Sequence, residues 1–180
     1  MRTLLTEADL RDGVLRLAEQ IDQRYQGKTL TLIAVMTGSL VLLADLIRVL
    51  QTPVRVGVIQ ASSYRGGVNS GELTTATDMM IDVNGHDVLL VDDIFDTGKT
   101  LERLTGLLQE MDAKTVASAV LLHKQREHVV SLRPNFVGFE IPDEFVVGYG
   151  LDYLDLFRNL PFLGILDPED IEAAKNRTAS

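Results

Sequence analysis

A chain of 180 residues, 46% of them hydrophobic, is long enough to bury a real core, which excludes intrinsic disorder. Seventeen Lys and Arg against 26 Asp and Glu leave a net charge of −9, a balance that repels nucleic-acid backbone and anionic lipid. The absence of cysteine removes disulfides, thiol chemistry and Cys-based zinc sites, and His86, His123 and His128 are too scattered for a histidine metal cage.

No apolar run approaches the roughly 18 residues that a bilayer span needs. The N-terminus turns polar directly after Leu5, so it does not read as a signal peptide, and a soluble cytoplasmic protein is expected. Taken in chain order, the pattern begins with a helix. Thr6 is a good N-cap with Asp9 three residues on, and Leu5 can staple onto Leu10. Leu10, Val14, Leu17, Ala18, Ile21 and Tyr25 then recur at helical spacing until Gly27. The run Thr29–Met36 is apolar and β-branched and predicts a strand buried on both faces. It stops at Gly38, after which Ser39 can cap a second helix that Pro53 ends. Val54–Ile59 form the next strand. Residues 62–77 hold Gly66, Gly67, Asn69 and Gly71 among many Ser and Thr, which predicts a long exposed loop or loose hairpin.

Val88–Val91 predicts a third buried strand, followed by a helix bearing Leu101, Leu104, Leu107 and Leu108. Thr115–Leu122 gives a fourth strand. Two short strands follow, Phe136–Ile141 and Phe145–Val147, joined through Pro142 and Asp143. The polar tail, 168–180, is expected to fray. Strands alternate with helices along one domain, 1–180, without linker or repeat. The expected class is therefore α/β, a central, mainly parallel sheet flanked by helices. Ligands of such sheets sit outside the carboxyl ends of strands, which singles out Thr37-Gly38, Ser63-Tyr64, Asp92–Thr100 and His123-Lys124.

The stretch from Val88 to Leu101 is the most informative. A buried strand ends in Asp92 and Asp93, and a loop Asp96-Thr97-Gly98-Lys99-Thr100 leads into a helix. Such a loop aims backbone N–H groups and a helix N-terminus at one spot, which makes a phosphate seat. The paired carboxylates suit sugar hydroxyls or a divalent metal. Gly98-Lys99-Thr100 also ends like a nucleoside-triphosphate loop, but that pattern requires glycine where this chain has Asp93. A phospho-acceptor receiver domain would place its acidic pair near the N-terminus and leave Asp96–Thr100 without a role. A plain helix-capping turn explains Asp96-Thr97-Gly98 alone, not the whole stretch.

This stretch resembles the phosphoribosyl-pyrophosphate (PRPP) signature of type I phosphoribosyltransferases. The segment Phe136–Tyr153, centred on Phe139-Glu140-Ile141-Pro142-Asp143-Glu144-Phe145-Val146-Val147-Gly148-Tyr149-Gly150, resembles the base-binding segment of hypoxanthine-guanine phosphoribosyltransferases. The resemblance runs from Thr6 to Leu166. It implies a small hood beside the sheet and a mobile flap over 62–78. It also implies transfer of the 5-phosphoribosyl group from PRPP to N9 of hypoxanthine or guanine, with xanthine left open. Nucleoside monophosphate and pyrophosphate are released, in a purine-salvage reaction that uses Mg²⁺. The implied partners are these small substrates and further copies of the chain, as homodimer or homotetramer, with no nucleic acid and no membrane. The other reading is a non-catalytic regulatory PRPP-binding protein of the same fold.

By the same resemblance, Thr97, Gly98, Lys99 and Thr100 hold the 5′-phosphate, while Asp92 and Asp93 address the ribose hydroxyls and their Mg²⁺. Asp96 is the proton acceptor at N7. Lys124 meets the 6-oxo group, Phe145 stacks on the base, Val146 offers backbone groups to the purine edge, and Asp152 binds metal beside the base. Arg158 reaches pyrophosphate, and Ser63 and Tyr64 belong to the flap. The Thr37-Gly38 turn offers amides to pyrophosphate, where many relatives carry Lys or Arg before the glycine. Relatives often have a cis non-proline peptide in this turn, which directs attention to the Thr37–Gly38 bond.

Overall fold

In chain order the molecule forms β1 (Arg2–Leu5), α1 (Glu7–Arg24), β2 (Leu30–Met36), α2 (Leu40–Val49), β3 (Val54–Gln60) and β4 (Asp87–Phe95). It continues through α3 (Lys99–Glu110), β5 (Thr115–Lys124), β6 (Phe136–Ile141), β7 (Val146–Val147), β8 (Leu163–Ile165) and α4 (Pro168–Thr178). The structure is a computed structural model and describes residues 1–60 and 81–178. The flap expected over 62–78, with Ser63 and Tyr64, lies outside the described residues.

Five strands make one parallel sheet in the order β3-β2-β4-β5-β6. Both faces are apolar, as the continuous Val, Ile and Leu runs require. Leu32, Ala34, Leu89, Val91, Ala119 and Leu121 join α1 and α2 in one core. The alternate residues, Ile33, Val35, Val88, Leu90 and Val120, join Leu101, Leu104 and Leu108 of α3 in the other. From β2 the chain goes out to the β3 edge, then returns to β4 on the opposite side of β2. The loops after β2 and β4 therefore part at a switch point, where a crevice opens.

Thr6 caps α1 as expected: its hydroxyl accepts the Asp9 N–H at 3.2 Å, and Asp9 accepts the Thr6 N–H at 2.9 Å. Other expectations change. Ser39 precedes α2 but does not cap it, because its hydroxyl turns back to the Val35 carbonyl at 2.6 Å. The residues before Thr6 are a strand: β1 pairs antiparallel with β8, and β8 with β7, giving a three-stranded hood. Phe136–Ile141 and Val146–Val147 thus belong to different sheets, with Phe145 outside the strand. The polar tail is helical through Thr178. Asp170 accepts the Asp167 N–H at 3.0 Å, acids in the first turn and Lys175 and Arg177 in the last complement the helix dipole, and Ala174 is buried. The Met1 ammonium further ties this helix down through Asp167 and Asp170, at 2.6 and 2.7 Å.

Asp22, near the end of α1, fastens the turn into β3. Its carboxylate accepts the Gln51 N–H at 3.0 Å, the Thr52 N–H at 2.8 Å and the Thr52 hydroxyl at 2.7 Å. Burial opposes the charge, but these donors outweigh it and hold the carboxyl below its usual range. A lowered folded-state pKa adds stability that is present above the unfolded value and is lost as pH falls through the folded one. Asp22→Ala is therefore expected to cost about 1–2 kcal/mol near neutrality. The difference in Tm from wild type should shrink as pH is lowered from 6 to 3 in thermal melts, and a gap that stays constant contradicts this account.

Candidate active site

The crevice encloses about 730 Å³ and brings together Thr37, Gly38, Asp92, Asp93, Asp96, Thr97, Gly98, Lys99, Thr100, Asp152 and Arg158. These come from three separate segments of the chain. A larger groove of about 940 Å³ between α1, α2 and the hood shares only Arg158 with it and holds none of the glycine loop.

Asp92 and Asp93 stand near the end of β4, which is buried up to that point. Asp92 is 7% exposed, and its Oδ1 accepts the Asp93 N–H at 3.0 Å. Asp93 Oδ1 accepts the Ile94 N–H at 2.7 Å. Burial, and then the adjacent Asp93 charge, push Asp92 well above the usual carboxylate range. Burial raises Asp93 as well, partly offset by its bonds to Asp92 and Ile94 and by the Arg158 charge. Such a pair calls for hydroxyl donors or a cation.

The Met36–Thr37 peptide of the facing turn is cis, one bond earlier than the Thr37–Gly38 bond singled out from sequence. A Cβ on Gly38 would strike the Asp93 carboxylate, and a Cβ on Gly150, at φ +100°, would strike the Gly38 carbonyl. These two glycines let the hood rest directly on the turn. Arg158 locks the contact: Nη1 donates to the Gly150 carbonyl at 2.7 Å, and Nη2 pairs with Asp152 Oδ1 at 2.7 Å. Asp152 Oδ2 also accepts the Asp155 N–H at 2.9 Å.

Beyond β4, Gly98 adopts φ +83° before α3, where a Cβ would meet Val130 and the Phe95 ring. The first-turn N–H groups of α3 have no acceptors within the helix, and Lys99 and Thr100 are exposed beside them. The parallel register Phe95↔His123 brings the next residues, Asp96 and Lys124, side by side. Lys124 is 7% exposed and is no surface lysine: its Nζ lies 3.4 Å from Asp143 and 3.7 Å from Asp96. Lys124, Phe145 and Val146 do not line the crevice itself. Val146 is buried in β7, whereas Phe145 is 56% exposed, with Tyr153 edge-on at 5.7 Å.

Two polar residues here escape a reading of the sequence. Arg126 pairs with Asp96 at 2.9 Å and Asp143 at 3.4 Å, and His128 Nδ1 lies 2.7 Å from the Asp96 carbonyl. Gln125-Arg126-Glu127-His128 looks like an ordinary solvated loop, and no periodicity links it to Asp96.

Among the described residues no group of three or more His, Asp or Glu side chains converges as a metal site. The carboxylates present are hard oxygen donors of the kind Mg²⁺ takes one or two at a time, with substrate phosphates completing its shell. The residues thus fit a cation that arrives with a phosphorylated substrate.

Residues 3–154 match the phosphoribosyl transferase domain. The hypoxanthine-guanine phosphoribosyltransferase of Staphylococcus aureus is 40% identical over 167 residues, spanning 92% of this chain and 93% of that protein. The Bacillus anthracis hypoxanthine-guanine phosphoribosyltransferase, solved with a HEPES molecule in its active site, superposes with TM-score 0.86 at 38% identity, covering 93% of this chain and 99% of that one. A hypoxanthine phosphoribosyltransferase variant from Trypanosoma cruzi, solved as a ternary substrates complex, gives TM-score 0.86 at 35% identity, with 94% and 97% covered. Fold and crevice define a type I phosphoribosyltransferase, an enzyme of the pentosyltransferase class. Within that class the chain belongs to the hypoxanthine-guanine phosphoribosyltransferase family.

Gly38→Ala tests the close approach at the turn. The added methyl displaces the Asp93 carboxylate, so the variant should lose about 1–3 kcal/mol of stability. It should also bind PRPP more weakly by calorimetry. Wild-type Tm and affinity together would show that the turn has room to spare.

Proposed function

We propose that the chain transfers the 5-phosphoribosyl group of PRPP to N9 of hypoxanthine or guanine, releasing pyrophosphate. The observation that carries this reading is the pairing of two half-sites across adjacent strands. A carboxylate pair, Asp92 buried and Asp93 half-buried, stands near the end of β4 ahead of a helix N-terminus, and a buried lysine beside Asp96 ends β5. The first suits a phosphorylated sugar and the second a purine carrying an oxygen.

In this reading the 5′-phosphate lies against the N–H groups of Gly98, Lys99 and Thr100 and the Thr97 hydroxyl. Asp92 and Asp93 accept from the ribose hydroxyls. Arg158 and the amides of Thr37 and Gly38 face pyrophosphate. Phe145 closes over the base, Val146 offers its backbone to the purine edge, and Lys124 donates to the 6-oxo group. As N9 attacks C1′ and the bond to pyrophosphate breaks, Asp96 takes the proton at N7, and its charge stabilises the cationic sugar. Asp92, Asp93 and Asp152 are the residues that would hold Mg²⁺, whose charge supplements Arg158 against the leaving pyrophosphate. The whole chain serves this reaction as one domain. Assembly into a homo-oligomer and a cytoplasmic location belong to the same reading; no helix among the described residues is long and apolar enough to cross a membrane. A regulatory PRPP-binding protein would have no use for Asp96, Lys124 and Phe145 together, and no relative found supports that alternative.

A panel of hypoxanthine, guanine, xanthine and adenine with PRPP and Mg²⁺, read by nucleotide formation, tests the proposal. Adenine presents an N–H donor to the Lys124 ammonium, a mismatch in a buried site that can reject an analogue by about 10⁴–10⁵. Lys124→Gln, able to donate or accept, should narrow that gap. Wild-type kcat/KM for adenine within about tenfold of hypoxanthine removes Lys124 as the reader of the 6-position.

Asp96→Asn isolates the proton transfer. It should lower kcat by about 10²–10⁴ while PRPP still binds. Turnover near the wild-type rate would take Asp96 out of that role.

A further inference from the structure

We propose that Arg126 is a positioning residue for base transfer, one that neutralises Asp96 and Asp143 so that the Lys124 ammonium stays free for the purine oxygen. The inference rests on the reading above, in which Asp96 and Lys124 face the base. Four side chains form a closed ring of alternating charge. Arg126 Nη1 stands 2.9 Å from Asp96 Oδ1 and 3.4 Å from Asp143 Oδ1. Lys124 Nζ stands 3.7 Å from Asp96 Oδ2 and 3.4 Å from that same Asp143 oxygen. With two cations and two carboxylates the ring is neutral.

The two cations are not equivalent. The Lys124 side chain is 9% exposed and that of Arg126 is 37% exposed. A buried ammonium keeps its partners, because water is not at hand to replace them. Without Arg126, Lys124 alone would face both carboxylates, and a purine oxygen would have to compete with two anions for its three protons. Asp96 would lose its shortest side-chain partner and with it the aim of its carboxylate.

The loop backbone is secured separately. His128 donates from Nδ1 to the Asp96 carbonyl at 2.7 Å, and the Val129 N–H donates to the Thr97 carbonyl at 3.3 Å. Removing the guanidinium therefore changes the direction and charge balance of Asp96 but not the seat of its loop. Arg126 also stands outside the crevice lining where PRPP is placed. Its effect should fall on the base and the proton, not on PRPP.

The experiment is steady-state kinetics of Arg126→Gln and Arg126→Lys with hypoxanthine and PRPP varied in turn. Arg126→Gln should lower kcat by about 10–100-fold, as expected for a misaimed catalytic group, with a raised hypoxanthine KM. The PRPP KM should stay within about twofold, and Arg126→Lys should recover most of the loss. Unchanged kinetics in Arg126→Gln, equal rises in both KM values, or no recovery in Arg126→Lys overturns the proposal. If Arg126→Gln melts too early to assay, Arg126→Lys decides alone: kcat more than about tenfold below wild type contradicts it. Wild type serves as the control for the underlying reading: failure of wild type to use hypoxanthine sinks the proposed function, whereas an active wild type matched by Arg126→Gln sinks only this inference.

Discussion

Two adjacent carboxylates near the buried end of β4 impose a condition that the surrounding structure meets in part. Asp92 and Asp93 come from consecutive residues, so the chain cannot separate them, and burial raises both. Gly38 leaves room for the Asp93 carboxylate, and Gly150 lets the hood settle on that turn. Arg158, fixed to the Gly150 carbonyl and to Asp152, brings its charge toward Asp93. What the pair still lacks, a polyhydroxylated substrate and its cation can provide.

The two halves of the proposed site, one in the crevice and one beside it around Lys124, use different physics. In the proposed reading, the phosphate half offers the backbone N–H groups of the first turn of α3, and Lys99, Arg103 and Arg158 line the crevice beside them. At the base end the groups are ionic and side-chain based: Lys124 and Arg126 balance Asp96 and Asp143. Dipoles tolerate any phosphate ester, whereas a buried ammonium distinguishes a carbonyl oxygen from an amino group. In the proposed function, phosphate binding and base choice therefore fall to separate elements.

Where local chemistry decides the structure, the sequence was readable. Continuous Val, Ile and Leu runs announced the parallel strands, Thr6 and Asp9 the start of α1, and Asp92–Thr100 the acidic pair and its phosphate-type loop. Long-range pairing was not readable. β1 is four residues with no alternation of its own and is a strand only because β8 lies beside it. Gly148 and Gly150 mark one of the hood's turns, but Leu154 and Phe157 also adopt positive φ, and neither is a residue type that announces a turn. The α4 helix was hidden by its polarity, since its stability comes from end charges and the Met1 ammonium instead of an apolar stripe. Arg126 and His128 met Asp96 only through the three-dimensional path of the loop after β5.

The most direct measurement is a crystal structure of the chain with IMP and pyrophosphate. The account predicts the ribose hydroxyls at Asp92 and Asp93, the 5′-phosphate on the first turn of α3 and N7 facing Asp96, with the purine oxygen about 3 Å from Lys124 Nζ. A ribose turned away from the acidic pair, or a purine oxygen met by some group other than Lys124, would contradict it.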